Sequence, residues 1–382
     1  MNLVDDFKKI FGDTENVIEI ESPARVNIIG EHTDYNGGYV FPCALDFGTY
    51  GVARKREDNK IRLCSLTFEK IFELSLDDLS FKEEDSWTNY AKGVIVEIIK
   101  LGHNIEGFEL VIDSNMPLSS GLSSSASLEV LVAVTLNELF NLEISGKDIA
   151  VLCRRAENDF MGLQCGIMDQ FVIANAKENS AMLLKCSTLE YKQYNVDLLD
   201  NRFVICNTKK PRKLVESKYN ERLEECQKGL DILKKYIDID TLAELSISDF
   251  ENLKKYINDE IVLNRVKHVI YETKRTLDCA KALEDKNFDE VGKLLVKSHE
   301  SLRDLYEVTG FELDTMVDEA LKLEGVWGAR MTGAGFGGCV IALVNNKNID
   351  EFIEKLTKAY SEKTNLQPEM YIANISGGAK VL

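Results

Sequence analysis

Glu31, His32, Asp34, Tyr35 and Asn36 stand within six positions, directly after the apolar stretch Arg25–Ile29. Carboxylates and an imidazole at a strand end suit a ligand rich in hydroxyls, because each can pair with vicinal OH groups. Arg25 adds a fixed cation nearby. The alternative is a polar hairpin turn, since the run ends in Asn36-Gly37-Gly38, a turn signal.

A second run, Met116–Ser127, reads MPLSSGLSSSAS and leads straight into an apolar segment. Small side chains let backbone N–H groups approach an anion, and a helix N-terminus adds positive dipole at the same place. Serine hydroxyls can also bind phosphate or ligate Mg²⁺. An ordinary serine N-cap is the competing reading. Six serines near one N-terminus exceed what capping needs, which favours phosphate.

The third run, Met331–Cys339, reads MTGAGFGGC. Gly333, Gly335 and Gly338 fit GxGxxG, but a dinucleotide fingerprint needs a helix next, and the β-branched CVIALV follows. A protein-kinase glycine loop is excluded as well: Asp46–Gly48 spells DFG ahead of it, and no HRD occurs. What survives is a backbone loop packed close to a ligand or to the serine-rich loop, with a tight turn between lobes as the alternative. Between the second and third runs lies Arg154–Gln170. Glu157 and Asp169, twelve residues apart, converge only if the chain turns at Gly162 or Gly166. A hard cation and a hydroxyl nucleophile each want such a carboxylate.

The elements that must position these groups are read from periodicity. Val17–Glu21 and Gly107–Asp113 alternate as strands, and Ala181–Leu184, Phe203–Asn207, Cys339–Val344 and Met370–Ile375 read as further strands. Ser127–Phe140 is apolar all round and predicts a buried helix. Gly146–Asn158 and Asp350–Lys363 predict two more, and residues 214–297 are charged with helical period. Irregular alternation of these elements predicts an α+β fold of two lobes.

Composition narrows the function. The 382 residues are 45% hydrophobic and 29% charged, ordinary for a globular chain. A net charge of −18 disfavours nucleic acid and basic membrane-surface helices. The nine cysteines form no CxxC pair, which argues against a zinc site or disulfide framework and for a reducing, cytoplasmic setting. Met1–Lys9 carries acids where a secretory leader would carry bases. No apolar run approaches the ~20 residues of a membrane span.

Taken in order, the three runs resemble the three motifs of the GHMP sugar and metabolite kinases. Within that superfamily Arg25–Pro42 (RVNIIGEHTDYNGGYVFP) is similar to the signature of the galactokinase branch. Cys165–Gln170, Asn207–Cys226, His299–Asp314 and Gly328–Cys339 extend the likeness to nearly the whole chain. The resemblance implies a two-lobed fold with the active site between the lobes, residues 1–180 forming the N-terminal domain and 181–382 the C-terminal one. It implies ATP-dependent phosphorylation of galactose at the C1 hydroxyl, with Mg²⁺ as cofactor and no nucleic-acid, membrane or protein partner.

The same resemblance assigns roles. Asp169 corresponds to the catalytic base, and Arg25 to the cation that stabilises the transition state beside it. Glu31, His32, Thr33, Asp34, Gly166 and Tyr219 match sugar-binding positions. Ser119, Ser120, Gly121, Leu122, Ser123, Ser124 and Ser125 match the ATP phosphate loop, with Ser65 and Trp87 near the nucleotide. Ser125 and Glu157 match the Mg²⁺ ligands. Two departures stand out: Ser119 and Ala24 occupy positions where the family carries Gly. Two other readings are a kinase for a related sugar, such as N-acetylgalactosamine or arabinose, and a sugar- and ATP-binding sensor without turnover. The uninterrupted SSSAS and the presence of Arg25, Ser125, Glu157 and Asp169 favour turnover.

Overall fold

The computed structural model describes residues 2–116, 121–211 and 215–382. The expectations for Ser119 and Ser120 therefore lie outside the described residues. In chain order the strands are β1 (Ile18–Asn27), β2 (Tyr39–Val40), β3 (Pro42–Lys55), β4 (Lys60–Ser65), β5 (Lys70–Ser75), β6 (Phe108–Ser114), β7 (Ser180–Lys185), β8 (Glu190–Asn195), β9 (Asn201–Asn207), β10 (Val326–Thr332), β11 (Cys339–Asn345), β12 (Glu369–Ala373), β13 (Ile375–Ser376) and β14 (Lys380–Val381). The α-helices are α1 (Leu3–Phe11), α2 (Thr88–Lys100), α3 (Ser124–Phe140), α4 (Gly146–Arg155), α5 (Met168–Asn175), α6 (Val215–Leu233), α7 (Ile247–Leu253), α8 (Glu260–Glu284), α9 (Phe288–Ser301), α10 (Phe311–Ala320) and α11 (Ile349–Thr364).

Among the described residues the strands form a ten-stranded and a four-stranded sheet. The larger runs β14-β1-β3-β6-β4-β5, with β2, β7, β8 and β13 attached beside β3. The smaller runs β10-β11-β9-β12 and is antiparallel throughout. A mixed α+β architecture, as the sequence predicts, is the result. The apolar stretches Val17–Glu21 and Arg25–Ile29 join into one strand rather than two. Its pairing with β3 slips between Pro23 and Arg25. Such a slip re-aims a side chain. Gly48 makes the close crossing there possible: a Cβ on it would lie 2.1 Å from the Ser22 carbonyl oxygen.

The buried helix α3 packs against α2, β1 and β3, with Leu131, Val132 and Leu136 fully covered. The helix predicted over Gly146–Asn158 stops at Arg155 and continues as a π-helical turn, Ala156–Phe160. The charged stretch 214–297 resolves into α6 to α9 rather than one long helix. The two sheets share apolar packing. Ile28, Phe41 and Cys43 belong to one buried cluster with Phe203, Ile341 and Leu343, which Leu294 and Leu295 of α9 join. The larger sheet takes in β7 and β8 beyond residue 180 and recovers the chain's last strands, so a division at 180 falls within one sheet. None of the nine cysteines forms a disulfide, and seven are buried. No helix among the described residues is long and apolar enough to cross a membrane.

Candidate functional site

Arg25 leaves β1 at the pairing slip and meets Asp169 in the first turn of α5, where the helix dipole favours a carboxylate. The pair is bidentate: Nε donates to Oδ1 at 2.7 Å and Nη2 to Oδ2 at 2.7 Å. Arg25 Nη1 also donates to the Gly121 carbonyl at 3.0 Å. Ser123 Oγ donates to Asp169 Oδ2. Arg25 is almost wholly buried, whereas the Asp169 side chain keeps 28% of its surface open. One oxygen face of Asp169 thus looks into a cleft while its back is held by a planar, bidentate cation.

The polar loop after β1 is held from the far half of the chain. Gly30 N–H donates to Glu272 Oε1 of α8 at 3.1 Å. Glu31 Oε1 accepts from Gly333 N at 2.7 Å and Thr332 Oγ1 at 3.1 Å, with Arg330 Nη2 at 3.2 Å. His268, kept neutral by burial that lowers it to about 4, reaches the Glu31 carbonyl at 3.1 Å. Burial likewise lowers His32 to about 3, and its ring lies beside those of Tyr219 and Tyr306. Asp34 is pushed up to about 7, first by burial and then by the negative charges of Asp169 and Glu31. Its carboxylate rests on the bare Cα of Gly166: a Cβ there would lie 1.7 Å from Asp34 Oδ2.

Glu157, in the π-helical turn after α4, accepts from Ser125 Oγ at 3.0 Å, while Gln170 Nε2 donates to its other oxygen at 2.6 Å. Burial pushes the Glu157 carboxyl up. A buried carboxylate beside a hydroxyl at a helix N-terminus supplies hard oxygen donors, which fit Mg²⁺. Glu157 and Asp169 do converge: the chain turns at Gly162, whose φ is +74°, and both line one cleft.

That cleft is about 340 Å³ and is lined by Arg25, Glu31, His32, Asp34, Ser125, Glu157, Gly166, Asp169 and Tyr219 of the expected residues. Gly333 and Ala334 of the third run close it, and a Cβ on Gly333 would sit 3.4 Å from the Gly121 carbonyl. Leu122 is buried and accepts from Arg25 N at 3.4 Å, while Ser124 is exposed at the start of α3.

Thr33, Ser65 and Trp87 do not line the cleft. Thr33 is fully buried and its hydroxyl bonds the Gly30 and Tyr39 carbonyls at 2.8 Å, a scaffold for the loop. Ser65 is buried at the end of β4. Trp87 packs edge-on against Phe72 at the N-terminus of α2, one turn from Tyr90, which does line the cleft. The sequence reading missed Tyr90, Gln164 and Asn220 of the lining and the supporting Glu272, His268 and Arg330. Asn220, Arg330 and the cleft-lining Gln170 lay in stretches that carried the family likeness, which was the signal available for them.

Comparison with known proteins places this geometry. The model for the GHMP kinases N terminal domain matches residues 89–177, the Galactokinase galactose-binding signature residues 5–55, and the GHMP kinases C terminal model residues 279–362. A galactokinase of Clostridium acetobutylicum is 51% identical over 100% of this chain and 98% of its own length. One of Ligilactobacillus salivarius is 49% identical over 99% and 98%. The crystal structure of Lactococcus lactis galactokinase complexed with galactose superimposes with a TM-score of 0.97 at 46% identity, covering 100% of this chain and 99% of that one. The Methanococcus jannaschii mevalonate kinase, at TM-score 0.70 and 23% identity over 96% and 100%, shares the fold.

Proposed function

Since the chain belongs to the galactokinase family of the GHMP kinases and phosphorylates galactose from ATP, we propose that transfer occurs at the C1 hydroxyl, in line and without a phosphoenzyme, with Asp169 facing that hydroxyl. The observation that carries this reading is the Arg25–Asp169–Ser123 arrangement, opening into the cleft between the loop after β1 and the start of α3. Phosphoryl transfer needs positioning and charge neutralisation more than covalent chemistry. Asp169 Oδ1, which among the described residues accepts only from Arg25 Nε, accepts the C1 proton and aims the oxygen at the γ-phosphorus. Arg25 stays beside the carboxylate and offsets negative charge as the new O–P bond forms. The first turn of α3 presents its backbone N–H groups to the phosphates.

Ser125 and Glu157 would hold Mg²⁺, which when bound neutralises phosphate charge. The sugar side falls to Glu31, Asp34, His32 and Tyr219, with Gly166 leaving room for the Asp34 carboxylate. The division of the chain into residues 1–180 and 181–382 and cytoplasmic residence complete this reading, which implies no protein partner.

The test is ADP release with Mg·ATP across galactose, glucose, N-acetylgalactosamine and arabinose. Turnover on galactose with product at C1 is expected; preferred turnover on another sugar overturns the specificity. Gly166→Ala is expected to raise the galactose KM roughly ten- to hundredfold, because a displaced Asp34 loses a charge-assisted hydrogen bond. Its ATP KM should move little. An unaltered galactose KM would remove Asp34 and Gly166 from the sugar site.

Asp34 also sets a pH dependence. With its pKa raised to about 7, the carboxyl is an anion above that pH and holds a proton below it. The anion accepts two sugar hydroxyls, so the galactose KM should rise as pH falls through 7, approaching about tenfold per unit. The ATP KM, followed in parallel, should stay level, and Asp34→Asn should flatten the galactose profile.

A further inference from the structure

The loop after β1 ends in a run of hydrogen bonds that the transfer chemistry leaves unused. His32 Nε2 lies 3.2 Å from the Ala334 carbonyl oxygen, and Nδ1 lies 2.8 Å from Tyr35 Oη. Tyr35 Oη is 2.9 Å from Tyr306 Oη, which is 3.0 Å from Cys226 Sγ. His32, Tyr306 and Cys226 are all buried. The run joins four separate pieces of chain: the loop after β1, the Gly-rich loop between β10 and β11, helix α6, and the π-helical turn Leu302–Tyr306.

Its direction follows from one end. A carbonyl oxygen only accepts, so Nε2 carries the hydrogen. Burial lowers His32 to about 3, so at neutral pH the ring has one N–H and Nδ1 is bare. Tyr35 therefore donates to Nδ1. Its one hydrogen is then committed, so its oxygen accepts from Tyr306. Tyr306 in turn accepts from Cys226, whose thiol burial pushes up to about 11 and keeps protonated. Each donor is used once and each acceptor is met. The opposite tautomer would reverse the hydroxyls and the thiol without conflict, but it would set a bare Nε2 against the Ala334 carbonyl oxygen, so that carbonyl selects the direction.

We propose that the Ala334 carbonyl selects the Nε2–H tautomer of His32, and that Tyr35 and Tyr306 are positioning residues that hold the ring in that bond through Nδ1 and so fasten the loop after β1 to the Gly-rich loop. Glu31 already holds Gly333 N of that loop. The tie at Ala334 is a second point, and two points fix how residues 333 and 334 face the cleft. Losing the second tie loosens the side lined by Glu31 and His32, while Arg25, Asp169 and Ser125 keep their partners. The kinetic consequence rests on the reading of that loop as the sugar site.

The test couples ¹⁵N spectra of the imidazoles with sugar kinetics for Tyr35→Phe and Tyr306→Phe. In the unsubstituted protein, without sugar or nucleotide, His32 should show a protonated Nε2 and a bare Nδ1 throughout about pH 5–8. Tyr35→Phe should leave the bare Nδ1 without its donor, which shifts the Nδ1 resonance, and raise the galactose KM roughly three- to tenfold, the loss of one neutral hydrogen bond. Its kcat and ATP KM should stay within about twofold. Tyr306→Phe should move both readouts the same way by less, because Tyr35 keeps its donor to His32. Cys226→Ser, which retains a donor, should behave as the parent. Mere structural support would lower the melting temperature without moving the imidazole signals or separating the two KM values. A hydrogen on Nδ1 in the parent, or an unchanged spectrum and KM in Tyr35→Phe, overturns the proposal. Failure of the galactose reading would appear separately, as a parent protein without galactose turnover, and leaves the tautomer measurement decisive.

Discussion

Asp169→Asn is expected to lower kcat by about 10²–10⁴-fold while galactose still binds. The amide keeps the shape of the carboxylate but cannot take the C1 proton. It also turns an NH₂ toward Arg25, whose Nε and Nη2 both donate to Asp169 now. One of the two parallel bonds is lost, and the side chain rotates away from the aim it has between Arg25 and Ser123. Glu31, His32 and Asp34 are untouched, so the sugar contacts remain. Single-turnover rates alongside calorimetric galactose binding separate these effects. Turnover near that of the parent would remove Asp169 from the transfer step; lost sugar binding would recast it as a binding residue.

Arg25→Lys should lower kcat by about 10²–10³-fold despite keeping the charge. The guanidinium spans both oxygens of Asp169 and reaches the Gly121 carbonyl as well. An ammonium is one point and cannot make all three contacts from a position this buried. Asp169 loses its fixed aim, and the backbone at Gly121 loses its tie to β1. Arg25→Met should be worse in turnover and also less thermally stable, since it leaves a half-covered carboxylate without its partner. Melting temperatures and kcat for both variants provide the check. A lysine variant with kcat within about twofold of the parent would show that charge alone suffices there.

Much of the site was legible because its chemistry is local in sequence. Glu31, His32 and Asp34 sit in one loop, Ser123–Ser125 open one helix, and Gly333 and Ala334 lie in one Gly-rich turn, so residue type and short spacing pointed to each. Composition and period also sufficed for the mixed architecture and the buried helix α3, since apolar residues on every face of a helix require burial. Thr33, drawn in by its neighbours, serves as scaffold, because alternate residues of a tight loop point opposite ways and only some reach the cleft.

What folding alone decided is how distant segments meet. The two-stretch reading of Ile18–Ile29 gave way to a single strand because pairing with β3 supplies the hydrogen bonds that local pattern cannot reveal. Strands β13 and β14 return to the first sheet from the far end of the chain, which no boundary drawn along the sequence anticipates. Glu272 and His268 had no motif to mark them, and Arg330 lay in a matched stretch without an assigned role, yet from α8 and β10 they hold the loop after β1 in place. Sequence alone determined the fold class and the family, and it supplied the candidates proposed as reacting groups, because these depend on residue types at short range. The tautomer of His32, the pKa of Asp34 and the aim of Asp169 were decided by tertiary structure, because burial and partners more than a hundred residues away set them.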